Sequence, residues 1–249
     1  MSSDLKTAAY LKTHFEELVK HLIVVVDSQE ENAVHQLRIH IKKLYALIKL
    51  LDQTEPESNI KKMFRPARSL FKLAGEIREI HLDLKKLKDL EKEHSDQKTA
   101  LLEQLQKKSD QLSKKRTKWK DKINTLLTLF KKYDYRLNTA LLHDHFRKLL
   151  VMASNFMHQG SFHEARKQIK SVLYLKDLLP EEKQDFMGID FAFLEKLQEI
   201  MGYWNDLLNS SLRKDGKKEN QFLQESFEKL NRELKASSRE FLDTVYQKK

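Results

Sequence analysis

Apolar residues recur along this chain at steps of three and four, in long stretches with few interruptions. From about Asp4 to Val26 the stripe is Leu5, Ala8, Leu11, Phe15, Leu18 and Leu22. At about 100° per residue, such spacing gathers side chains on one face of an α-helix. The stretch Val34–Leu51 does the same with Val34, Leu37, Ile41, Leu44, Leu47, Ile48 and Leu51. Between them, Asp27-Ser28-Gln29-Glu30-Glu31 supplies a break, and Ser28 with Glu31 three residues on matches a capping box. A third helix is expected from about Pro66 through Leu90, with Pro66 at its entry because proline lacks a backbone donor. A fourth, from about Ser95 to Lys132, carries a thin seam of Leu101, Leu105, Leu112, Trp119, Ile123 and Leu126.

The second half repeats this order. Asn138 to His158 reads as a helix, and Ser161 with Glu164 opens the next, which Pro180 closes. Asp190 is expected to cap another helix, ended by Gly216, and a last helix covers about Glu219 to Tyr246 with Phe222, Phe227, Leu230, Leu234, Phe241 and Leu242. The pattern therefore predicts an all-α chain of two four-helix bundles, approximately residues 1–132 and 133–249, in one domain.

The polar positions are organised too. On the second helix His35, Arg38, Lys42, Tyr45 and Lys49 fall within roughly 80° of one another, beside the apolar face rather than opposite it. The stretch FHEARKQIKSVLYLKDLL returns the design, with His163, Arg166 and Lys170 at the offsets of His35, Arg38 and Lys42. His35 and His163 lie 128 positions apart; Gly75 and Gly202 lie 127 apart, as do Arg78 and Asn205. Two landmarks at nearly one offset point to an internal duplication, hence a pseudo-twofold arrangement in which both basic helices face a shared groove. Gly75 sits inside a helix at a cost of about 1 kcal/mol relative to Ala, which asks for a packing or access role. Around it stand Arg65, Arg68, Lys72 and Arg78.

Composition narrows the function class. Charged residues make up 34% of 249 residues, with only five Gly and three Pro, as long helices with few turns require. A hydrophobic content of 40% supports a folded core. The net charge of +10 points to an anionic partner: a nucleic acid, an acidic lipid surface or a phosphate polymer. No cysteine is present, so disulfides and thiolate metal sites are excluded. The N-terminus has no signal-peptide pattern, and the longest apolar run, Leu22–Val26, is too short to cross a bilayer. The expectation is a soluble cytoplasmic protein with no membrane partner.

At these residues the chain resembles the CHAD family, the conserved-histidine α-helical domains. Its pattern opens each half with H-x-x-R-x-x-x-[KR]-[KR] and follows with G-x-x-[RN]-[DE] on a later helix. The first half gives His35, Arg38, Lys42 and Lys43, then Gly75, Arg78 and Glu79. The second gives His163, Arg166, Lys170 and Tyr174, then Gly202, Asn205 and Asp206. The resemblance covers nearly the whole chain and implies a bundle whose halves enclose a basic groove for inorganic polyphosphate, with association to polyphosphate granules. Such domains also occur beside a triphosphate-hydrolysing domain; here the repeats take up the chain, so none is expected. Departures are Ser171 in place of a second basic residue, Tyr45 and Leu173 in place of a frequent arginine, and Glu195 and Glu199 aligned with Arg68 and Lys72. The second half is thus the less basic.

The site expected from this reading comprises His35, Arg38, Lys42, Lys43, Lys49, Arg68, Lys72, Arg78, His163, Arg166, Lys170 and Tyr174. Polyphosphate is a flexible line of charge with no base or sugar, so its receptor needs donors repeated along a path. Guanidinium groups fork onto phosphate oxygens, and lysines add charge and release counterions. For His35 and His163, phosphate donor, metal ligand and packed helix histidine compete; their recurrence three residues before an Arg favours the donor. No metal or other cofactor is expected, because each motif offers one obvious imidazole. Lysines from Lys114 to Lys122 read as a solvated face. No Gly-rich phosphate loop, H-E-x-x-H, G-x-S-x-G or acidic magnesium cluster stands out, which favours a binding module over an enzyme. Two alternatives stay open, a nucleic-acid binder and a phosphate-polymer hydrolase or its regulator. The pattern sets no oligomeric state.

Overall fold

The computed structural model describes residues 5–54, 59–88, 95–132, 137–184, 187–211 and 217–246. Among these residues every regular element is helical. The chain divides into two compact units, Thr7–Arg136, and Leu137–Lys249 together with the N-terminal Met1–Lys6.

The first unit is built from α1 (Thr7–Ser28), α2 (Glu31–Thr54), the short α3 (Ile60–Met63), α4 (Arg65–Lys88), α5 (Ser95–Lys114) and α6 (Arg116–Lys132). Helix α1 packs on α2, α2 on α4 and α4 on α5, and α6 returns to α1. Phe15, Leu18 and Leu22 of α1, Leu37, Ile41 and Leu44 of α2, and Leu70 and Ile77 of α4 are all buried. Each such side chain contributes about 1.5–3 kcal/mol by leaving water. The buried face of α1 is broader than its apolar stripe, because Thr7, Tyr10 and His14 share it while Ala8 is exposed. Leu5 is buried but precedes the helix.

Two boundaries differ from the sequence expectation and one agrees with it. Ser28 ends α1 rather than capping α2: its hydroxyl donates to Val24 O at 2.9 Å. Gln29 then turns in the left-handed region at φ 55°, and Glu30 O accepts the first α2 bond, from Val34 N at 3.1 Å. Pro66 does sit in the first turn of α4, where its missing N–H costs nothing. The expected fourth helix is two, parted at Lys115, whose N–H reaches back only three residues to Leu112 O at 3.1 Å.

The second unit comprises α7 (Thr139–His158), α8 (Phe162–Leu175), the short α9 (Glu181–Gln184), α10 (Phe191–Ser211), α11 (Lys217–Arg239) and α12 (Phe241–Val245). Helix α7 packs on α8, α8 on α10 and α10 on α11, and α11 returns to α7. Phe146, Leu150, Phe162, Ile169, Val172, Leu194 and Met201 fill the interior. Asn138 caps α7 by accepting from Leu141 N at 2.9 Å, and Asp190 caps α10 by accepting from Phe193 N at 2.9 Å. Helix α7 ends in a Schellman pattern: Gly160 at φ 71° donates to Met157 O and Ser161 N to Phe156 O, at 2.9 and 2.8 Å. Ser161 precedes α8 as expected, but its side chain makes no cap bond. Helix α8 gives way at Leu175 to a 3-10 turn, Lys176–Leu178, before Pro180 is reached. The last helix breaks at Glu240. Gly216, expected to end α10, lies outside the described residues, as do the side chains of Phe222 and Phe227. Lys6 N donates to Leu178 O at 2.9 Å, which ties the start of the chain to this unit.

Candidate functional site

In the first unit, the stripe of α2 that borders the core turns toward α4, and its cations are held there by aromatic rings and backbone. The Arg38 guanidinium lies over the Phe71 ring, 4.0 Å from ring centre to Cζ, and its Nη1 donates to Phe71 O at 2.8 Å. A mid-helix carbonyl has a second lone pair beyond the one its own helix uses, and Arg38 takes it. The approach is possible because residue 75 is glycine: a Cβ built there would fall on Arg38 Nη1, well inside contact distance. Burial, then the nearby Arg78, disfavours the charge on Arg38, while Glu79 supports it. Arg38 Nε is buried without a partner among the described residues.

Two rings organise the other cations. Lys42 Nζ lies 5.8 Å from the centre of Phe71. Tyr45, stacked on Phe64, carries Lys49 at 5.1 Å and Arg68 at 5.5 Å. Lys49, Arg68 and Lys72 are exposed and Arg78 is half-buried. Among the described residues no ion pair joins Arg38, Lys49, Arg68, Lys72 or Arg78 to a carboxylate. Cation–π contacts place the charge without cancelling it.

The second unit repeats the central device. Arg166 Nε donates to Gln198 O at 2.8 Å, and a Cβ at Gly202 would stand 2.9 Å from Arg166 Nη2. Lys170 Nζ lies 5.7 Å from the centre of Tyr174. Burial pushes the Tyr174 phenol up, and the positive charge of Arg166 pulls it back. His163 is exposed, whereas His35 is half-buried. Glu195 pairs with Lys176 at 2.5 Å, and Glu164 with Lys167 at 2.6 Å. Ser171 donates to Lys167 O at 2.9 Å.

A family model described as the CHAD domain matches residues 9–214, most of the chain. The chain belongs to the CHAD family. Among solved structures, the crystal structure of the CHAD domain from the plant Ricinus communis is similar, with a TM-score of 0.64 and 17% sequence identity. That match covers 96% of this chain and 88% of the plant chain. The comparison with curated proteins found no significant match.

The expected site residues of this CHAD chain divide between its two units. Arg38, Lys42, Lys49, Arg68 and Arg78 share the α2–α4 side of the first unit, with Lys72 exposed on α4. Lys43 acts elsewhere: its charge bears on His40, and its carbonyl accepts from Tyr10 of α1 at 3.3 Å. Arg166, Lys170 and Tyr174 keep company in the second unit. Sequence reasoning missed Phe71, the ring under Arg38 and Lys42; its signal was an aromatic one turn before the helix-interior Gly75. Tyr45, expected in the polar stripe of this helix and as a departure from arginine, is the second ring.

Proposed function

We propose that this CHAD protein binds inorganic polyphosphate without transforming it, that the α2–α4 face of the first unit is its stronger phosphate surface, and that it collects on polyphosphate granules by this affinity. The observation that carries the reading is the set of cations along that face, of which Arg38, Lys49, Arg68, Lys72 and Arg78 make no ion pair with a carboxylate among the described residues, with Arg38 seated over Phe71 and Lys49 and Arg68 over Tyr45. Positions fixed by rings and helices lose little side-chain freedom on binding, so more of each charge contact appears as affinity. A polymer with a charge on every unit suits this surface, since no base-reading or sugar-reading group is required. Both rings already bear cations, which leaves them poorly suited to stacking bases and disfavours single-stranded nucleic acid.

Titration of end-labelled polyphosphate against purified protein tests the proposal. Binding should weaken steeply with added salt, as counterion release demands. Arg68→Ala and Lys72→Ala should each cost about 1.5 kcal/mol, roughly tenfold, as for hydrogen bonds to charged groups. RNA at matched charge and salt should compete poorly. Affinity indifferent to salt, equal competition by RNA, or orthophosphate released during the titration would each overturn this reading.

A further inference from the structure

The side of α2 opposite Arg38 holds a second cluster, made with α1. Glu17 and His21 are one turn apart on α1 and therefore share a face. His40 comes in from α2, and one ligand atom from each of the three residues lies within 4.8 Å of the other two. His21 Nε2 stands 3.3 Å from a Glu17 carboxylate oxygen. The rings of His21 and His40 are stacked, with centres 5.6 Å apart and an interplanar angle of 19°. Behind them His14, 6% exposed, places its Nδ1 3.1 Å from Nδ1 of His40. All three ligand residues are only half-buried, so one side of the cluster remains open to solvent.

Imidazoles also gather through packing alone, but three features here speak for a metal. Two nitrogens and a carboxylate oxygen form one of the ligand sets that zinc takes, with a further position left for water. Tetrahedral ligands at about 2.0–2.1 Å from zinc stand about 3.4 Å apart. The His21–Glu17 distance already meets this, and His40 needs only a small swing. Third, His14 supports His40 from behind: with His40 donating from Nδ1 to His14, its Nε2 keeps a free lone pair, and the ring is held in orientation. Lys20 is the competitor, 3.1 Å from each oxygen of Glu17.

We propose that Glu17, His21 and His40 form a binding site for a divalent transition-metal ion of the zinc type, with His14 as the positioning residue. Bound metal clamps α1 to α2 from behind and steadies the helix that carries the basic stripe. The site is separate from the phosphate surface and stands or falls without it.

The test is titration of the chelator-treated full chain with Zn²⁺, and with Co²⁺ as a spectroscopic probe, in buffer free of phosphate polymers. One equivalent should bind, the melting temperature should rise with metal concentration, and Co²⁺ should show visible bands of low-coordinate geometry. His14→Gln should weaken binding about 10–100-fold, as removal of a group that orients a ligand does. His40→Gln and His21→Gln should weaken it further. Lys20→Ala should tighten binding by freeing Glu17, an effect that a merely structural polar knot would not produce. Glu17 lies on the open side, so Glu17→Gln keeps the test decisive if a histidine variant fails to fold. No saturable binding to the parent chain overturns the proposal, and so does binding unchanged in folded Glu17→Gln and His21→Gln variants.

Discussion

At the scale of single residues, one contact appears in both units: an arginine from one helix seated on a glycine of the next, donating to a main-chain carbonyl. It gives Arg38 and Arg166 a structural duty, so their removal would confuse weakened ligand binding with weakened packing. A double-mutant cycle separates the two. In an ordinary exposed helix Gly→Ala stabilises by about 0.5–1 kcal/mol. Gly75→Ala alone should instead destabilise by about 1–3 kcal/mol, because the new methyl overlaps a guanidinium stacked on Phe71. Introduced into Arg38→Ala, the same substitution should regain the ordinary stabilising sign. Urea midpoints of the four proteins measure this, and a stabilising Gly75→Ala in the parent would remove the seat. The glycine was legible in sequence as a helix-interior residue in need of a reason, and Arg38 as a recurring landmark. That one is the seat of the other was not. Sequence spacing tells which residues share a face of one helix, not which atoms meet across two.

At the scale of elements, α2 is a helix with three occupied sides. Leu37, Ile41 and Leu44 face the core, Arg38 and Lys42 face α4, and His40 faces α1. The apolar period gave the first side directly, because burial selects hydrophobic residues at a fixed angular step. Ile41→Asp should therefore destabilise by about 3–5 kcal/mol through a buried unpaired charge. Lys49→Ala, exposed over Tyr45, should stay within about 0.5 kcal/mol of the parent while weakening polyphosphate binding. Chemical denaturation with a parallel binding assay decides both, and parent-like stability in Ile41→Asp would turn the helix around. Boundaries were less legible than faces. A capping box at Ser28 competes with a left-handed turn at Gln29, and the turn wins because Ser28 still bonds back into α1. The break at Lys115 carries neither Pro nor Gly, and nothing in its composition announces it. The Glu17–His21–His40 cluster was illegible for another reason, since its members come from two helices and match no spaced motif.

For the whole molecule, 17% identity accompanies a TM-score of 0.64 with a plant CHAD domain. A periodic apolar pattern with few constrained positions can hold an all-α fold while the surface varies, and here the two units carry different surface charge. In the first, Arg68 and Lys72 stand exposed on α4. In the second, the aligned positions are Glu195 and Glu199, and Glu195 takes up Lys176. An exposed ion pair adds little stability, yet it removes a cation from any ligand's path. Polyphosphate should therefore respond chiefly to the first unit. Replacing Arg68 and Lys72 together by Ala should lower affinity by roughly 100-fold, if the two costs of about 1.5 kcal/mol add. It should also flatten the slope of log affinity against log salt by about 0.7 for each phosphate no longer neutralised, by analogy with single-stranded nucleic acid. Lys170→Ala, whose ammonium lies by Tyr174, should do less on both measures. Conversely, Glu195→Lys with Glu199→Lys should strengthen binding and steepen the slope by adding cations where the second unit has carboxylates. Anisotropy titrations of one long and one short labelled chain at several salt concentrations supply every number needed. Equal weakening from the two units on the short chain would refute the asymmetry, and an unchanged slope in the Arg68, Lys72 double variant would take the α2–α4 face out of phosphate binding.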